Sequence, residues 1–81
     1  MTTKAAPRVE YIYVKVGERI RMARELRGLT QGELGLRLNP PVTRAAIANM
    51  EAAKQRILLH VLAGIAEVLR FPLAAMIGKP R

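Results

Sequence analysis

Side chains able to do covalent or proton-transfer chemistry are scarce in this chain. It contains no cysteine, no aspartate, a single histidine at position 60 and six glutamates. A thiolate nucleophile and a disulfide are thereby excluded. One histidine with no acid close to it in sequence supplies neither an oriented base nor the three or four ligands of a zinc site. A phosphate-cradling glycine loop is also missing. No enzymatic activity, metal or other cofactor is therefore expected. What the chain has in excess is cation: fourteen Lys and Arg, ten of them Arg, give a net charge of +8. The planar guanidinium fork matches phosphate oxygens and the guanine edge in bidentate fashion, so an arginine-heavy balance points to a nucleic-acid partner. The plain alternative is a basic surface that serves solubility alone.

The elements that must carry these cations can be read from apolar spacing. With 81 residues there is room for one domain, near the small end of what packing stabilises without help from a partner copy. Nothing approaches the roughly 18 apolar residues of a membrane span, and no secretory leader is visible, so a cytoplasmic location and no membrane contact are expected. Residues 1–10 show no period, contain a proline and carry Lys4 and Arg8; they read as a flexible basic arm, with the domain occupying 11–81. Val16, Ile20 and Ala23 mark a first helix within 11–27, ended by Gly28. Tyr11 to Val14 could begin that helix raggedly or pack beneath it. Thr30 with Glu33 three residues on is a capping box for a second helix from Gln31 to about Leu38, bearing Leu34 and Leu38. Asn39-Pro40-Pro41 stops it, since each proline removes an amide donor. Thr43 then caps a third helix from Arg44 to about Lys54, with Ile47 and Met50 inward. After the polar Gln55 and Arg56, a fourth helix has an inner stripe of Leu59, Leu62, Ile65, Ala66 and Leu69. Pro72 opens a short last helix with Leu73, Met76 and Ile77, which Gly78 and Pro80 end. The pattern is all-α.

The run Val16-Gly17-Glu18-Arg19-Ile20-Arg21, then Leu29-Thr30-Gln31-Gly32-Glu33-Leu34, then Val42-Thr43-Arg44-Ala45-Ala46-Ile47-Ala48-Asn49-Met50-Glu51, resembles the Cro/C1-type (Xre) helix-turn-helix family. The tail from Ile65 to Leu73 matches that family's link between fourth and fifth helices. The resemblance covers about residues 16–77 and implies a five-helix, lambda-repressor-like helix-turn-helix domain. Two departures stand out. The Asn39-Pro40-Pro41 turn is about two residues longer than usual, and Ala52-Ala53 stands where the family commonly has a glycine, so the third helix is expected to run on.

What the resemblance implies for single residues follows. Arg44, Ala45 and Asn49 match recognition-helix positions that meet base edges in the major groove; Arg suits guanine, Asn adenine, and the alanine methyl a thymine methyl. Gln31, Thr43, Lys54, Gln55 and Arg56 match positions that contact backbone phosphates, with Arg27 and Arg37 as weaker candidates. Arg24 and Glu51 match a salt bridge between helices one and three that orients the recognition helix. Ile57, Leu58, Val61 and Val68 make helix four more apolar than in relatives, which suggests a dimer interface; a wide core stripe is the other reading.

The function expected from these readings is a sequence-specific, DNA-binding transcriptional regulator, a repressor acting as a homodimer on a palindromic operator in double-stranded DNA. The alternative is an antitoxin or adaptor whose main partner is another protein, such as a toxin or polymerase.

Overall fold

The computed structural model describes residues 5–78, with side chains from Tyr11 onward. Five helices follow one another: α1 (Ala5–Leu26), α2 (Gln31–Arg37), α3 (Arg44–Glu51), α4 (Leu59–Leu69) and α5 (Leu73–Ile77). No strand occurs among the described residues.

The apolar spacing explains how they pack. Val16, Ile20 and Ala23 of α1, Leu34 and Leu38 in and just after α2, Ile47 and Met50 of α3, four residues of α4 and Met76 of α5 form one core. Ile20, Leu34, Ile47, Ile65 and Leu69 lose all contact with solvent. Burial of this kind stabilises by roughly 1.5–3 kcal/mol per large side chain. It holds α2 and α5, which at seven and five residues are too short to persist by themselves.

Three expectations need correction. The arm expected over 1–10 is helical from Ala5 onward; Pro7 falls in the first turn of α1, where no backbone donor is required, so it does not break the helix. The remainder of that arm, residues 1–4, lies outside the described residues. Next, α3 does not run on to Lys54 but ends at Glu51. Ala53 takes the left-handed conformation at φ 60°. The Lys54 amide then donates to the Asn49 carbonyl at 2.8 Å and that of Ala53 to Met50 at 3.2 Å, a Schellman ending with alanine where glycine is usual. Leu59, placed in the inner stripe by its spacing, is 68 % exposed because it is the first residue of α4 and projects past the end of the core. Ile77 is likewise close to half-exposed.

Two glycines let α1, α2 and the start and end of α3 approach one another closely. A Cβ on Gly17 would stand 2.6 Å from the Glu51 carbonyl oxygen and 2.7 Å from that of Met50, so only glycine lets α1 lie this close to the end of α3. A Cβ on Gly35 would collide with the Val42 carbonyl oxygen, and the Val42 amide donates to the Gly35 carbonyl at 3.0 Å. The proline-containing turn is thus folded back onto α2, and α3 starts from a fixed point.

Candidate nucleic-acid interface

The site is built on α3. Its N-cap Thr43 accepts a hydrogen bond from the Ala46 amide at 3.0 Å through its side-chain hydroxyl, satisfying one of the free amides of the first turn. With Ile47 and Met50 facing inward, the outer face carries Arg44 and Ala45, both exposed, then Ala48 and Asn49, both half-buried, and exposed Ala52 at the C-cap. No carboxylate belongs to this face, because Glu51 turns inward. The surface offered to solvent is one cation, one amide and three methyl groups, a set able to read base edges and lie close to a groove floor.

The inward Glu51 fixes the angle of α3. Its carboxylate accepts from Arg24 Nε at 2.6 Å and from Arg24 Nη2 at 3.0 Å, a bidentate pair. The two side chains are only 10 % and 5 % exposed. Arg24 also donates through Nη1 to the Leu29 carbonyl at 2.8 Å, and the Glu51 hydrogen bond raises its pKa. Gln31 completes the group by donating from Nε2 to Glu51 Oε1 at 3.1 Å. One cluster therefore ties α1, the first turn of α2 and the end of α3 together. No buried side-chain polar atom is left without a partner among the described residues.

Gln31, expected on a phosphate, is thus partly engaged in the scaffold, with one amide hydrogen used and the other free for a ligand. The capping box forms as spaced: the Glu33 amide donates to Thr30 Oγ1 at 3.0 Å and the Thr30 amide to Glu33 Oε1 at 2.8 Å. That backbone hydrogen bond holds the Glu33 carboxyl below its ordinary pKa. Arg44 lies beside α2, its aliphatic stem about 3.9 Å from where a Cβ on Gly32 would be. Lys54, Gln55 and Arg56 are all exposed in the loop after α3, facing Tyr13 and Val14 across a surface groove. The expected phosphate residues thus flank both ends of α3.

Other residues fall elsewhere. Arg27, a weaker phosphate candidate, donates from Nε to the Leu69 carbonyl at 2.6 Å and from Nη2 to the Arg70 carbonyl at 3.3 Å, and sits 5.0 Å from the Phe71 ring centre. It caps the end of α4, satisfying carbonyls that have no helical partner. No local signal announces this, since the partners are 42 and 43 residues away. Arg37 is exposed. Of the four residues suggested for a dimer interface, Ile57, Val61 and Val68 are half-buried against the chain's own core, while Leu58 is 63 % exposed. His60 is exposed on α4, and no group of three or more candidate metal ligands occurs among the described residues.

A family model described as helix-turn-helix matches residues 20–80. Among solved structures, the Bacillus thuringiensis PlcR complex with the peptide PapR7 and DNA is similar, with a TM-score of 0.69 at 28 % sequence identity. The match covers 78 % of this chain and 21 % of that one, so the chain spans about a fifth of PlcR. The comparison with curated proteins returned no significant match.

Proposed function

Since the chain belongs to the helix-turn-helix family of DNA-binding regulators, Cro/C1 type, we propose that it is a sequence-specific repressor that binds a palindromic operator as a homodimer. The observation that carries this reading is the outer face of α3, uncharged except for Arg44 and free of carboxylate, backed by the buried Arg24–Glu51 pair. Arg44 and Asn49 read base edges, with Ala45 in methyl contact; Gln31, Thr43, Lys54, Gln55 and Arg56 hold backbone phosphates on either side. Lys54 and Arg56 add screened attraction that steers the chain to any duplex, and α3 supplies the discrimination. Repression follows from occlusion of promoter DNA, the simplest action open to so small a domain. The chain acts by binding rather than catalysis.

Dimerisation is part of the proposal because two copies related by a two-fold axis set their recognition helices roughly 34 Å apart, one turn of DNA. Exposed Leu58 on the apolar margin of α4 supports a contact there, with Ile57, Val61 and Val68 as its flank. The competing reading is an antitoxin or adaptor whose main partner is another protein, and the same exposed leucine favours it.

Selection of bound sequences from a random duplex library at about 150 mM salt separates the two. The wild type is expected to enrich a two-fold symmetric consensus that an Arg44→Ala, Asn49→Ala double variant does not. Absence of enrichment would move the reading to a protein partner.

A further inference from the structure

We infer that Arg21 is a further phosphodiester anchor, holding a backbone phosphate in a recess between α1 and the outer face of α3; this rests on the DNA-binding reading above. Arg21, Arg24, Gln31, Ala48, Glu51 and Ala52 line that recess. Ala48 and Ala52 belong to the face of α3 proposed to enter the groove. Gln31 is already proposed on a phosphate. A duplex seated on α3 therefore passes one strand across the mouth of the recess, and methyl side chains on the α3 side leave that mouth open.

The charged groups in the recess are not equivalent. Arg24 and Glu51 neutralise one another, and each of the three Arg24 nitrogens is already donating within the protein. Arg21 is different. Its one hydrogen bond among the described residues runs from Nε to Glu25 Oε2 at 3.4 Å. The two side chains are 66 % and 55 % exposed, so that contact is long, single and screened by water. Both terminal nitrogens of Arg21 remain available for the bidentate geometry that a phosphate accepts. Its neighbour Arg19 is committed elsewhere, donating from Nη1 to the Ile77 carbonyl at 3.2 Å. Among the described residues Glu25 is the only carboxylate paired with Arg21, and it also lies 4.0 Å from Arg24 Nη2. A phosphate arriving at Arg21 displaces Glu25 and is repelled by it, so the glutamate acts as a weak guard on the site.

The test compares Arg21→Gln with Lys15→Gln, which removes the same charge from α1 but is turned about 120° round the helix from Arg21. Affinities for the selected operator and for an unrelated duplex are measured by fluorescence anisotropy from about 50 to 300 mM salt. Arg21→Gln is expected to weaken both by a similar factor, about fivefold, and to flatten the slope of log K against log salt by about one. Arg21→Lys retains the slope, Glu25→Gln tightens binding to both duplexes, and Lys15→Gln changes little. Thermal melting checks that each variant is folded. If Arg21→Gln behaves as Lys15→Gln does while the wild type selects its operator, the Arg21 assignment is wrong and the regulator reading stands. If the wild type binds every duplex alike and the slope still falls with Arg21→Gln, the anchor stands and sequence-specific regulation falls. A wild type that binds no duplex overturns both.

Discussion

Glu51 accepts from Arg24 on α1 and from Gln31 at the start of α2, so one carboxylate holds three elements in register. Replacing it with glutamine leaves the Arg24 charge with little solvent and only the exposed Glu25 carboxylate, 4.0 Å away, as counter-charge. Glu51→Gln is expected to cost about 3 kcal/mol, read as a lower midpoint in urea unfolding, because breaking one side of a buried pair strands the other. A loss below about 1 kcal/mol would show the pair to be solvent-screened after all. The pairing of these two residues was legible through family resemblance, whereas their burial was not, since burial is a property of what packs around them. Ala53 gives a second residue-scale prediction. At φ 60° its Cβ crowds the backbone, which glycine avoids. Ala53→Gly should raise stability by about 1 kcal/mol and the melting temperature by about 4 °C or more. An unchanged or lower melting temperature would mean that the freedom glycine adds to the unfolded chain outweighs the relief.

Helix α2 is the element most dependent on its surroundings. It has seven residues, two of them glycine, and it lasts because Leu34 is buried and the Thr30–Glu33 box closes its first turn. The box makes stability depend on pH in one direction. Hydrogen bonds from Thr30 favour the charged carboxylate, so the folded state binds that proton less readily than the unfolded chain does. The contribution is therefore complete above the ordinary glutamate range and disappears as pH falls through the lowered folded value. Melting curves from about pH 7 to pH 3 should show the wild type losing more than Glu33→Gln; parallel curves would show that the box contributes nothing through charge. The contact between α1 and α3 makes a steric prediction. Gly17→Ala places a methyl against two backbone carbonyls that cannot rotate away, and the helices must separate. It should cost about 2 kcal/mol and weaken DNA binding, because the same shift pulls Arg24 away from Glu51. The capping box was legible because both its partners lie three residues apart. The need for glycine at 17 was not, as the atoms it avoids are more than thirty positions away.

At the scale of the whole molecule, a net charge of +8 makes an uncharged surface the favourable place for the proposed pairing of two copies. Leu58 offers such a surface, while Ile57, Val61 and Val68 already serve the core of one copy and cannot be made polar without harming it. Leu58→Glu should therefore leave the fold intact, shift sedimentation from dimer to monomer, and lower operator affinity about tenfold or more through loss of the second half-site. Unchanged sedimentation would place the dimer contact on another face.

By itself the sequence determined the fold class, the five helices in order, nearly all of the core and the residues that face outward on α3. These follow from spacing of 3.6 residues, from caps within four residues and from proline and glycine punctuation, all of them local chemistry. Only the tertiary structure decided where α1 begins, that α3 stops at Glu51, that Leu59 lies outside the core and that Arg27 caps α4. It also decided that Arg21 shares a recess with the outer face of α3, while its neighbour Arg19 is tied to the Ile77 carbonyl. Each of these depends on which distant segment arrives beside a residue, and a one-dimensional pattern carries periodicity but not neighbours.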